Sequence, residues 1–225
     1  MPRLPPPMEA FSALATAAYC PRQLYYRRKH DDHEVPAEAS ARRDLAFRYD
    51  QLLDPTHDLR TEPVAVTPTQ FRSRLGAASE RLDAWPALVD PDGREVLLEG
   101  KDARGIAHKL LADPPTVSVV SAGEPPEHGV WGPDSVRATA AAKALAWEHG
   151  TGVDHAYVEY PAHGVVRRIR LGTRRKAAYR HALRAARSMD GPPPRLDEDD
   201  DRCGACDYRA ECGTRTRTLR SLLGR

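Results

Sequence analysis

Apolar residues recur at two periods along this chain, and the two periods divide it into helices and strands. After a proline-rich start, Met1 to Pro7, which reads as extended chain, Phe11, Leu14 and Ala18 share one helical face between Met8 and about Lys29. Pro21 starts a second helix within that span, carrying Leu24 and Tyr25. The polar stretch KHDDHEVP follows as a loop. Ala37 to Leu53 reads as one helix with Leu45, Tyr49 and Leu52 as its stripe. PVAV, Pro63 to Val66, is a short strand candidate. From Pro68 onward Phe71, Leu75, Ala78, Leu82 and Trp85 keep helical spacing, and Thr67 stands before Pro68 where an N-cap belongs.

The second half shifts to shorter, extended patterns. REVLLEGK, residues 94–101, is a strand, apolar from Val96 to Leu98 and led by a DPDG turn; PTVSVVSAG is another. Asp134 to His149 is an alanine-rich helix closed by Gly150. DHAYVEYPAHGVVRRIRL makes a hairpin around PAHG, and TRRKAAYRHALRAARSM makes a basic helix. The linker DGPPPRLDEDDD then leads to a cysteine-bearing end. Helices flanking several short strands, with no internal repeat, indicate an α/β or α+β fold, one domain over residues 1–225.

Composition adds little until its distribution is followed. The formal net charge is only +2, so bulk charge points to no partner. Between Tyr160 and Met189, however, there is no Asp or Glu among nine Lys and Arg residues. Arg174, Arg175 and Lys176 open the basic helix there, where side chains and first-turn N–H groups can both meet phosphate. The acidic run DEDDD, Asp197 to Asp201, reads as a solvated face. No apolar run is long enough to cross a bilayer, and Pro5 to Pro7 and Glu9 interrupt any signal-peptide core, so a cytoplasmic location without membrane contact is expected.

The chain has four cysteines, unevenly placed. Cys203, Cys206 and Cys212 form C-x-x-C-x-x-x-x-x-C at one end, and Cys20 stands alone near the other. Four thiolates suit a 4Fe–4S cluster. They also suit a structural zinc ion, although zinc is more often held by two tight C-x-x-C hooks. Disulfides belong to oxidising compartments and small domains. Shared ligation requires Cys20 to fold back onto the late cysteines across the 182 residues between Cys20 and Cys203 (21 to 202).

One further pattern bears chemistry. In LLEGKD, Glu99 and Lys101 are two apart on an expected strand and so leave from one face. A carboxylate holding Mg²⁺ or Mn²⁺ beside a lysine that positions an attacking water is a workable phosphodiester-hydrolysis pair. Asp83, in RLDAW, is the candidate second carboxylate. His108, His128 and His163 fall in loop-like stretches and are expected to be surface histidines.

YCPRQLYY (Tyr19 to Tyr26) and RCGACDYRAEC (Arg202 to Cys212) bracket nearly the whole chain, with the D…E-x-K pair between them. In this layout the chain resembles the CRISPR-associated RecB-like exonuclease family, the fourth family of CRISPR-associated proteins. The resemblance implies a restriction-endonuclease-like PD-(D/E)xK core and a 4Fe–4S cluster on Cys20, Cys203, Cys206 and Cys212, with residues 1–30 and 197–225 forming the cluster region. It also implies an Mg²⁺- or Mn²⁺-dependent 5′→3′ exonuclease on single-stranded DNA, with Asp83, Glu99 and Lys101 at its centre, serving the CRISPR adaptation integrase. From a different class comes a DNA-binding or adaptation-complex protein that keeps fold and cluster but cleaves poorly. A zinc-stapled protein unrelated to nucleases is the third reading.

Overall fold

The strand at the middle of the molecule is one that the hydrophobic pattern hides. Residues 103–112 read ARGIAHKLLA, with glycine, histidine and lysine breaking any alternation, yet they form the longest strand of the sheet. In the computed structural model, which describes residues 7–32, 36–196, 201–204 and 206–213, six strands form one mixed sheet: β1 (Glu9–Ala10), β2 (Gly93–Glu99), β3 (Ala103–Ala112), β4 (Pro115–Val120), β5 (His155–Tyr160) and β6 (Val165–Arg170). β2, β3 and β4 are an antiparallel meander, β5 returns parallel to β4, and β6 pairs antiparallel with β5. Arg104 pairs with Glu99 on one side and Ala10 on the other, so β2 lines one edge of β3 while β1 and β4 share the opposite edge.

Helices cover both faces. On one side lie α1 (Phe11–Tyr19), α7 (Gly132–His149) and α8 (Thr173–Arg187), with α2 (Pro21–His30) against α8. Their contacts are made largely by small residues: Ala138, Ala140, Ala141, Ala142 and Ala144 of α7 are all buried in the core they share with Phe11, Leu14, Val158 and Leu183. Gly100, in the turn after β2, belongs to this packing, because a Cβ there would lie 2.9 Å from the Ala144 backbone. The opposite face holds α3 (Ala37–Asp44), α4 (Tyr49–Leu53), α5 (Pro68–Arg81) and α6 (Trp85–Val89), around Phe71, Leu75, Tyr49, Leu88 and Tyr157. α9 (Asp201–Gly204) and α10 (Arg209–Gly213) are short turns near the C-terminus. Among the described residues no helix is long and apolar enough to cross a membrane.

Three expected elements differ, each for a local reason. Residues 37–53 do not form one helix: α3 gives way to a 3-10 turn at Leu45–Phe47, and α4 starts only at Tyr49. The carbonyl of Ala46, which an unbroken helix would commit to the residue four ahead, instead accepts from Lys109 Nζ at 2.6 Å. The helix through Trp85 stops at Arg81, because Pro86 has no N–H for Leu82 and its ring would meet that carbonyl. PVAV is not a strand: Ala65 N–H reaches Ala162 O at 2.8 Å, but no ladder forms. The N-terminus of α5 is as expected, with Thr67 and Gln70 forming a reciprocal capping box ahead of Pro68. Gly150 closes α7 in the left-handed conformation, and the β5–β6 hairpin turns through Gly164.

Candidate functional site

Residues 19–30 and 202–212, from opposite halves of the chain, meet. Cys20, between α1 and α2, lines a cavity of about 280 Å³ together with Cys203, Cys206 and Cys212. Burial pushes the Cys206 thiol above its ordinary range, and the neighbouring Cys20 and Cys212 add to the rise. Around the thiols the two segments are tied by other contacts. Arg202 Nη1 donates to Tyr19 O at 2.6 Å, and His30 Nε2 lies 2.7 Å from Glu211, which also pairs with Lys29. The rings of Tyr26 and Tyr208 stack at 5.7 Å. All four cysteines line this one cavity, and thiolates are the donors an iron–sulfur cluster takes, but the four are not drawn together into a ready metal site. Among the described residues no three His, Cys, Asp or Glu side chains are gathered where they could hold a metal ion.

The expected hydrolytic trio is not assembled. Leu82 anchors Asp83 to the α5–α6 face, where its charge acts on Tyr157 of β5. Glu99 ends β2 at the far edge of the sheet, 3.6 Å from Arg104, with its N–H donating to Glu148 Oε1. β3 and β4 lie between β5, whose Tyr157 feels the charge of Asp83, and β2, which ends at Glu99. Lys101 is not on the strand but in the exposed β2–β3 turn, which the Gly100 N–H closes onto Ala103 O at 2.9 Å. This is a correction to the sequence-based expectation: a period of two holds only while the strand continues, and β2 stops at Glu99.

What Lys101 does join is a basic groove. It lines one end with Lys143 and Trp147 of α7, and the groove continues past Lys176, Arg180 and Arg184 of α8. The α8 cations are four residues apart and form a single stripe, while Tyr179, Ala182, Leu183 and Ala186 face the core. Trp147, four residues after Lys143, is 61% exposed. Asp102 is the acidic residue of the groove, and it is paired with Arg187 at 3.3 Å. Of the expected phosphate-binding trio, Arg174 and Lys176 are exposed. Arg175 is turned inward, donating to Ser135 Oγ and Arg170 O at 3.1 Å each, and braces α8 against α7. Trp147 was missed because the sequence around it is an alanine-rich helix, although its spacing of four from Lys143 was legible.

A third feature lies across α7, where Arg43, His108 and Arg137 line a pocket of about 500 Å³ beside the N-terminus of α1. His108 and His163 are buried, not surface residues as expected, whereas His128 is exposed. Burial first, then the charges of Arg137, Arg43 and Lys109, hold the His108 imidazole well below the usual histidine range. Arg137 is lowered to about 10 by burial and by Arg43, against the pull of Asp134, and remains a cation at neutral pH.

No family model matches the chain, and no curated protein or solved structure is detectably similar to it.

Proposed function

We propose that this chain is an iron–sulfur-clasped protein of RecB-like architecture that binds single-stranded DNA in DNA processing or CRISPR adaptation without hydrolysing it through Asp83, Glu99 and Lys101. The observation that carries the reading is the groove between α7 and α8: five cations, Lys101, Lys143, Lys176, Arg180 and Arg184, with an exposed Trp147 at one end. Lysines and arginines along a groove track a phosphate backbone, and an exposed indole offers a base a face to stack on. The resemblance in YCPRQLYY and RCGACDYRAEC, and a meander, helix and parallel strand in that order, support the PD-(D/E)xK-like assignment.

Cys20, Cys203, Cys206 and Cys212 are the residues that would hold the cluster. When bound, it would supply a covalent clasp between the two segments that carry them. Contacts of Arg202, Tyr26 and Glu211 between the two segments support this reading, because they bring the four cysteines to one cavity. Iron and acid-labile sulfide in anaerobically purified protein would distinguish a cluster from zinc.

Fluorescence anisotropy with a labelled single-stranded oligonucleotide tests the function. Trp147→Ala is expected to weaken binding by about 1–3 kcal/mol, the worth of one stacked base. Neutralising Lys176, Arg180 and Arg184 together is expected to weaken binding to all sequences alike and to flatten its salt dependence. Unchanged affinity in both variants overturns the reading. Mn²⁺-dependent cleavage lost in Lys101→Ala would restore the nuclease in its place.

A further inference from the structure

The pocket beside α1 gathers more donors than the protein supplies acceptors for. Within it, Val120 N–H donates to His108 Nδ1 at 3.0 Å, so that nitrogen carries no proton and the ring's N–H is on Nε2. Nε2 faces Arg137 Nη2 at 3.3 Å. An imidazole N–H and a guanidinium N–H cannot bond each other; they are two donors converging on one point. His108 is 3% exposed, and the space through which an acceptor can reach its Nε2 is the pocket that it lines. Arg137 Nη1 donates to Val120 O at 3.3 Å, but its Nε is buried without a partner.

The rest of the wall has the same sign. α1 begins at this pocket, its first turn has neither a side-chain cap nor an acidic residue, and Ala10, Phe11 and Ser12 line the opening. Its leading N–H groups and positive dipole end are thus turned toward the site. Arg43 adds a second guanidinium from α3. Three acidic groups are near: Glu9, one residue before Ala10, pairs with Arg28 at 2.5 Å, and the others are Asp134 and Glu95. Asp134 accepts from Tyr160 Oη at 2.7 Å, and Glu95 is exposed at the rim. Glu95 has a left-handed backbone, φ 51°, and the β2–β3 ladder skips the Glu95–His108 pair, which leaves the strand open at this point.

We propose that this pocket is an oxyanion site that takes a phosphate group, held between His108 Nε2–H, the Arg137 guanidinium and the first turn of α1. An oxygen accepting from both His108 and Arg137 would satisfy donors that are otherwise orphaned, and a space of about 500 Å³ admits the sugar or base attached to that phosphate. The proposal rests on the DNA-binding reading only for what carries the phosphate, a strand end; the site itself follows from the donors.

The test uses the full-length protein and inorganic phosphate. Histidine ring ¹H–¹⁵N spectra should show His108 as the Nε2–H tautomer, with an Nε2 resonance that moves saturably as phosphate is added. Arg137→Gln and, separately, Arg43→Gln should raise the phosphate Kd, the first by about tenfold or more as a charge-assisted hydrogen bond is lost. Oligonucleotides with terminal phosphate or terminal hydroxyl form the second arm. A preference for phosphate assigns the site to strand ends, and no preference assigns it to free phosphate; either keeps the oxyanion site. An Nδ1–H tautomer, or a His108 resonance that phosphate never moves, overturns it, and this readout needs no variant to fold. Because Trp147→Ala leaves the pocket intact, unchanged DNA affinity in that variant counts against the groove reading alone, while the response of the His108 resonance to phosphate decides the oxyanion site by itself.

Discussion

His108 and Lys109 are consecutive residues of one strand, both buried, and the protein treats them in opposite ways. Lys109 is saturated: its Nζ donates to Ala46 O at 2.6 Å, Leu88 O at 2.7 Å and Glu159 Oε2 at 2.8 Å, with the Tyr49 ring 4.6 Å away. Glu159 is completed in turn by Ser118 Oγ at 2.5 Å. Two of these acceptors are main-chain carbonyls at the break after α3 and at the end of α6, so one ammonium fastens both pieces to the sheet. On the other side, His108 Nε2 and Arg137 Nη2 are donors that meet only each other. The difference is one of satisfaction: Lys109 finds all its acceptors inside the protein, whereas His108 Nε2 finds none there.

The sharpest way to break this comparison is to empty the saturated side. Lys109→Ala is expected to cost about 3–5 kcal/mol, because Glu159 and two carbonyls are left buried without their donor. Denaturant unfolding measures it. Lys109→Ala with Glu159→Gln should recover part of the loss, since the uncompensated charge goes. A cost below about 1 kcal/mol would mean that water reaches the site and that Lys109 is not the fastening described.

These two residues also mark where the sequence could and could not be read. Features set by neighbours in the chain were legible: the Thr67–Gln70 box, Gly150 after α7, the stripe of Phe71, Leu75 and Ala78, and the β5–β6 hairpin. β3 was not, because its burial is made by partners far away. Lys109 is acceptable inside only with Glu159, fifty residues on, and His108 only with the Val120 amide. A window of a dozen residues sees neither and reads charge as surface. The cysteines were legible as a set because their chemistry needs no periodicity. The hydrolytic trio was overread: Glu99 and Lys101 have strand spacing in the sequence but straddle the end of β2 in the fold.

A second prediction turns to pH and reads the unsaturated side. His108 has a depressed folded-state pKa, from burial first and then from Arg137, Arg43 and Lys109. The unfolded chain therefore binds a proton, near pH 6.5, before the folded one does. The folded state loses stability as pH falls below about 6.5, by at most about 1.4 kcal/mol per pH unit for this one group, until the folded pKa is reached; above pH 7 the contribution is nil. His163, also lowered by burial, adds in the same direction. His108→Gln should flatten the slope, and unfolding midpoints between pH 5 and 7 decide it. An unchanged slope assigns the acid lability elsewhere. Bound phosphate should protect only the protein that retains His108 and Arg137.

The smallest expected effect carries the most information about catalysis. Glu99 is an exposed strand end, 3.6 Å from an equally exposed Arg104. Such a pair, screened by water and salt, contributes about 0–1 kcal/mol. Its backbone N–H, not its carboxylate, is the group that Glu148 engages, so Glu99→Ala should keep that hydrogen bond and shift stability by less than about 0.5 kcal/mol. Single-stranded DNA affinity should hold or rise slightly, because a negative charge is removed near Lys101 and the groove. If Glu99 were a metal ligand, the same substitution would abolish any Mn²⁺-dependent cleavage while leaving the fold as it was. The two accounts thus agree on stability and part on activity. With Asp83 beside Tyr157 and Glu99 at the opposite edge of the sheet, the expected result is a variant that wild-type assays of folding, binding and cleavage cannot tell from its parent, apart from that small gain in affinity.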